Sequence, residues 1–152
     1  MAVSMSRDFG LSEMVSSIRI LRGAGQTDQV VATSGQLTNL IRRIGSLEFN
    51  WQAKSLPWVF PDRKELDERV MALSNRVDLQ SLEIHGLMPG KYTLNIDGTD
   101  VGTYDNSELE HHIELQANST TAQYQQALAV AKLNQLRNEG PINALLDEWW
   151  SF

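Results

Sequence analysis

The stretch Ser81-Leu-Glu-Ile-His-Gly-Leu-Met-Pro-Gly-Lys-Tyr-Thr-Leu-Asn-Ile-Asp-Gly-Thr-Asp-Val-Gly-Thr-Tyr104 decides the fold. It predicts three antiparallel strands joined by two tight turns. Asp97-Gly98 marks a two-residue hairpin, because both central positions of a type I′ turn need positive φ. Pairing across it sets Ile96 opposite Thr99 and Leu94 opposite Val101, so Leu94, Ile96 and Val101 share one face. At Met88-Pro89-Gly90 two registers compete. A two-residue Pro-Gly turn sets Glu83 opposite Ile96 and His85 opposite Leu94, which mixes the faces. A three-residue loop with Gly90 in the left-handed bulge position sets Leu82 opposite Ile96 and Ile84 opposite Leu94. That register keeps one face apolar and is preferred. The expected class is α+β: a small antiparallel meander or sandwich packed with several helices.

On the N-terminal side, Leu11, Met14, Val15, Ile18 and Leu21 fit a helical stripe that Gly23-Ala-Gly25 stops. Val30-Val31-Ala32 reads as a short strand. Leu37, Leu40, Ile41 and Ile44 suggest a short helix ending at Gly45, with strand as the alternative. Leu47, Phe49 and Trp51 alternate with polar residues, the pattern of a half-buried strand. Two prolines make Ser55 to Pro61 an extended connection lying on the core. Asp62-Arg-Lys-Glu65 has the residue types of a capping box, opening a helix with Leu66, Val70 and Leu73 inward.

On the C-terminal side, Asp105-Asn-Ser-Glu108 is a further helix start, followed by Leu109 and Ile113. Thr120 and Gln123 form the capping pair of the longest helix, which Gly140-Pro141 ends. Ile142, Leu145, Leu146, Trp149 and Trp150 then make a last amphipathic helix. Three parts follow: an N-terminal helix in residues 1–25, a β-rich module with a connecting helix in 26–117, and C-terminal helices in 118–152.

Composition narrows the classes of function. A chain of 152 residues suits one domain with helical appendages. A net charge of −6 argues against a nucleic-acid partner, which wants clustered Lys and Arg. Arg19-Arg22 and Arg42-Arg43 are too short to make such a patch. No apolar run approaches the roughly 20 residues that span a bilayer, so no membrane span is expected. Arg7 and Asp8 interrupt the N-terminus where a signal peptide needs an apolar block. The absence of Cys removes thiolate chemistry and leaves the compartment undecided.

Each chemistry-bearing cluster has a plainer reading beside it. His111-His112 point about 100° apart on a helix and have no spaced partners, so they read as helix-end histidines rather than metal ligands. His85 reads as a surface group. Asp97, Asp100 and Asp105 lack the order of a Ca²⁺ loop, and turn and cap chemistry explains Asp97 and Asp105. Glu108 and Glu110 face apart, as a solvated face does. Trp51, Trp58, Trp149 and Trp150 are the candidate ligand or partner surface, including a sugar-stacking platform, against the plainer reading of core anchors. No Gly-x-Ser-x-Gly or Gly-Asp-Ser element, cofactor loop or metal motif stands out.

The run Leu87-x-Pro-Gly-x-Tyr-Thr-Leu-x-Ile-Asp-Gly-x-x-Val-Gly-Thr-Tyr104, with Ser107-Glu-Leu109 after it, resembles the C-terminal region of bacterial SGNH/GDSL-type hydrolases. The helix from Tyr124 to Arg137 continues the resemblance, which covers Ser46 to Arg137. Gly10 to Gly25 resembles the closing helix of that family's catalytic domain. The resemblance implies ester hydrolysis by a Ser nucleophile and a His base on a doubly wound α/β domain. The family's nucleophile and oxyanion blocks match nothing here. Its His falls near Met5, where no His stands, so no catalytic residue is carried over. The expected function is a non-catalytic C-terminal accessory module packing on a catalytic domain or protein partner. The alternative is a free-standing protein-interaction or carbohydrate-binding domain.

Overall fold

A computed structural model describes residues 14–23, 27–61 and 78–150. The helix expected to open at Asp62 lies outside the described residues, as do residues 1–13. The described chain is mixed α+β. Its centre is a four-stranded sheet in the order β2-β1-β5-β8, formed by β1 (Met14–Arg22), β2 (Asp28–Thr33), β5 (Leu79–Ile84) and β8 (Ile113–Glu114). Two hairpins accompany it: β3 (Gly35–Arg43) with β4 (Ser46–Ala53), and β6 (Lys91–Ile96) with β7 (Thr99–Asp105).

Strand β1 corrects the expected N-terminal helix. Ser16, Ile18 and Ile20 all point inward, with period two, and Ile20 is fully buried. Ile20 lies off the helical stripe, so the stripe left out the most buried residue of the segment. The branched residues Val15, Ile18 and Ile20 suit a pleated surface better than a helix. Pairing on both edges then supplies a full set of backbone partners: β2 runs antiparallel along one edge and β5 parallel along the other.

The same parallel pair corrects the three-stranded meander. Strand β5 has Ile18 beside Leu82 and Ile20 beside Ile84 on one side, and Ile113 beside Leu82 on the other. With both edges of β5 occupied, β6 cannot pair with it. The chain leaves β5 and turns at Gly86, whose φ is +69°. A Cβ at Gly86 would stand 2.6 Å from Cβ of Arg22, so this position needs glycine for both conformation and space. Gly90 is tied to the start of the next helix, its N–H donating to Asn106 Oδ1 and its carbonyl accepting from the Asn106 N–H.

The hairpin signal itself holds. Asp97 (φ +51°) and Gly98 (φ +81°) make the turn, with Ile96 opposite Thr99. A bulge next to Asn95 then shifts the register, so that Leu94 faces Gly102 and not Val101. In β3 a bulge at Asn39 (φ +54°) does something similar. It resets the alternation so that Leu37 and Leu40 both turn inward at a spacing of three, which imitates a helix. The strand alternative at Leu37–Ile44 is therefore the one observed.

Helix α1 (Asn106–His111) starts at the capping box read from sequence: Asp105 accepts from the Glu108 N–H and Glu108 accepts from the Asp105 N–H. Helix α2 (Ala122–Arg137) is capped by Thr121, one residue later than expected. Gly140-Pro141 does not end it. The chain widens into a π turn at Asn138–Ile142 and continues as α3 (Asn143–Trp150). Proline lacks an N–H and its ring crowds the carbonyl four residues back, and the wider turn relieves that crowding.

One buried cluster joins these parts. Ile18, Ile20, Leu82 and Ile84 form the inner face of the sheet, together with Leu109 of α1 and Ile113 of β8. Phe49 and Trp51 of β4 and Tyr92 and Leu94 of β6 pack against it. Both hairpins therefore close over the same face of the sheet. A second small core joins Val59 of the Pro-rich connection to Tyr124 and Ala127 of α2.

Candidate functional site

Where the two hairpins meet over the sheet they leave a cleft of about 610 Å³. Its apolar walls are Phe49 and Trp51 from β4, Leu94 and Ile96 from β6, and Leu115. Its floor is polar. Ser16 and Gln80, side by side in the register of β1 and β5, and Thr121 before α2 are at most 6% exposed. The floor is held from behind by Gln116, whose Oε1 accepts from the Gln80 N–H at 3.2 Å. Among the described residues, Glu48 and Asp97 at the rim are the charged members of the lining, and none is Lys, Arg or His. Glu48 is paired with Arg43 at 2.6 Å.

Trp51 owes its position to glycine. Its ring lies across Gly35 on the neighbouring strand, where a Cβ would stand 2.3 Å from the ring carbons. The hairpin can therefore pack the indole closely against β3 while it lines the cleft.

A second groove, of about 540 Å³, runs between the Pro-rich connection and α2 and is lined by Trp58, Phe60, Val130 and Gln135 among others. Trp58 is 60% exposed and its ring stands 5.2 Å from that of Phe60. Behind the connection, buried Asp78 accepts the Trp58 N–H at 2.6 Å through Oδ2, while Oδ1 has no partner among the described residues. Burial raises its pKa to about 6, partly opposed by the Trp58 hydrogen bond.

The four tryptophans therefore do not form one platform. Trp51 lines the hairpin cleft and Trp58 the groove, while Trp149 and Trp150 are exposed on α3. The remaining candidates are held by local partners. His85 Nε2 lies 2.5 Å from Glu83 Oε1, and Glu83 Oε2 accepts from Arg19 at 2.6 Å. Burial works to raise the Glu83 pKa, but the bonds from His85 and Arg19 outweigh it and the net shift is downward. His111 Nδ1 contacts the Ser107 carbonyl, and His112 sits at the C-terminal end of α1 beside Glu114. Asp105 is held below the usual carboxylate range by Ser107 and the Glu108 N–H. Asp97 serves the turn and Asp100 accepts from Asn95. No group of three or more His, Asp or Glu suited to a metal occurs among the described residues.

Sequence reasoning missed the floor. Gln80 continues the inward parity of Leu82 and Ile84, and a polar residue at an inward strand position is the signal that marks such a floor. Ser16 and Thr121 carried no signal, because β1 was read as a helix and the cap of α2 was placed one residue early.

No family model and no curated protein matches the chain. Its fold is similar to the solved structure of BT4096, a gut microbial diltiazem-metabolizing enzyme, with a TM-score of 0.76 and 25% sequence identity. The likeness covers 91% of this chain and 33% of that enzyme, so the chain spans a third of the enzyme's length. This overturns the expected non-catalytic accessory module, and the free-standing interaction or carbohydrate-binding domain with it. Nearly all of the chain has its counterpart within an enzyme.

Proposed function

We propose that this chain is part of an enzyme that hydrolyses esters of small organic molecules, and that the hairpin cleft is a wall of its substrate site. The observation that carries the reading is the likeness to an enzyme over 91% of the chain. The ester class comes from the resemblance of Ser46 to Arg137 to SGNH/GDSL-type hydrolases, in which a Ser nucleophile and a His base add water across the acyl–oxygen bond. None of the residues matched here is that Ser or His. The role left to the chain's own residues is to bind and orient: Trp51, Phe49, Leu94 and Ile96 exclude water, while Ser16 and Gln80 supply polar groups at the floor.

The test uses the longest polypeptide that the gene encodes. It is assayed on p-nitrophenyl acetate and, given the neighbour, on diltiazem. Turnover above buffer that phenylmethylsulfonyl fluoride abolishes is the expected result. A folded protein that turns over neither substrate, or does so unaffected by the inhibitor, rejects the reading.

A further inference from the structure

We infer that the hairpin cleft selects uncharged aromatic carbonyl compounds, such as aryl esters and amides, and rejects aromatic carboxylates. The inference deepens the hydrolase reading, and rests on it only for the cleft's role as a substrate site. Four observations carry it.

First, the cleft has the size and layout of a small-molecule site. About 610 Å³ lies within the usual range of roughly 300–1,000 Å³, and its apolar walls stand over a few polar groups. Second, Phe49 and Trp51 bring two aromatic rings to the lining, and the Trp51 indole packs closely against Gly35. Third, the floor is polar. Ser16, Gln80 and Thr121 are buried; the Thr121 hydroxyl donates to the Asn118 carbonyl and accepts the Tyr124 N–H, opening a helix with no acidic residue in its first turn. The positive end of that helix favours an acceptor such as a carbonyl oxygen.

Fourth, the electrostatics tell against full negative charge. An anion would meet Glu48 and Asp97 at the rim and find no basic side chain among the described residues of the lining to neutralise it. The partial charge of one helix end does not replace a Lys or Arg for a desolvated carboxylate. A neutral carbonyl gains the same hydrogen bonds without that cost. A ligand cation has little to gain either, since Arg43 already pairs with Glu48 and Asp97 is exposed at a turn. Among the described residues, the groove beside Trp58 has no comparable floor of buried polar side chains.

The experiment is a titration of the chain, labelled with ¹⁵N, against N-methylbenzamide and benzoate, probes of similar shape and different charge. The Trp51 indole signal is assigned by Trp51→Phe. We expect the amide to shift the Trp51 indole and the backbone signals of Gln80 and Leu94 saturably, with benzoate weaker by about tenfold or more. Gln80→Leu should weaken amide binding several-fold. Asn50→Lys, at an exposed position of the lining on β4, should bring benzoate to within about threefold of the amide. Shifts centred on Trp58 or Trp149 instead of Trp51, equal binding of the two probes, or an unchanged preference in Asn50→Lys each overturn the inference. The titration needs no turnover. Binding without hydrolysis removes the hydrolase reading alone, and hydrolysis without selective binding removes this one alone.

Discussion

Asp78 shows what a single buried residue decides. Among the described residues its carboxyl accepts a hydrogen bond from Trp58, and its other oxygen is buried without a partner. Its folded pKa, about 6, lies above the ordinary value of 3.8 in an unfolded chain. The folded state therefore binds this proton more tightly. The stability it contributes is fully present below about pH 4 and is lost as pH rises through about 6. Asp78→Asn should remove this slope, which amounts to roughly 1–3 kcal/mol between pH 4 and 8. Thermal melts of the two proteins at pH 4, 6 and 8 measure it, and parallel curves would refute it. Asp28 behaves in the opposite sense. The Arg42 guanidinium bonded to it, with Arg22 nearby, holds its pKa low, so its contribution is present at neutral pH and lost in acid. Arg42 also donates to the carbonyls of His85 and Gly86, so the pair ties β2, β3 and the end of β5 together.

Elements were legible where their signals are local. The Asp97-Gly98 turn, the Asp105–Glu108 capping box and the alternation of Leu47, Phe49 and Trp51 depend on residues a few positions apart, and each stands where it was read. Bulges and helix defects were not legible, because one extra residue changes the period without changing the composition. The bulge at Asn39 turned a strand pattern into a helical spacing. At Pro141 a stop signal proved to be a π turn inside a longer helix. Replacing that proline should let the regular hydrogen-bond ladder close. Pro141→Ala should strengthen the helix around residues 134–146 by about 1–3 kcal/mol. The effect should appear as slower amide hydrogen exchange there and a more negative ellipticity at 222 nm. Unchanged exchange would mean that the π turn is held by its surroundings.

At the scale of the whole molecule, the parallel pairing of β1 with β5 determines where everything else goes. It fills the edge of β5 that a meander would use and sends the β6–β7 hairpin over the sheet face. Opposite β3–β4, that hairpin becomes the second wall of the cleft. A site built from β1, β4, β5, β6 and the start of α2 belongs to no single segment. On the proposed hydrolase reading, its part in activity is a binding one. In the longest polypeptide that the gene encodes, Trp51→Ala should then raise KM for an aryl ester by about tenfold and leave kcat within about twofold, as loss of uniform binding requires. Steady-state kinetics separates the two constants, and a fall in kcat at constant KM would place Trp51 outside the substrate contact.

The mixed α+β class, the β6–β7 turn and the capping of α1 could be read from the sequence alone. Each follows from short-range rules of φ, hydrogen-bond capping or side-chain alternation. Only the tertiary structure decided that Met14–Arg22 is a strand, that β5 has β1 and β8 as its neighbours, and that Gln80, Ser16 and Trp51 share a cleft. The physical reason is the range of the interactions. A strand is stabilised by partners that lie 50 or more residues away, and the choice among rival partners depends on how apolar faces pack rather than on the residues beside it in the chain.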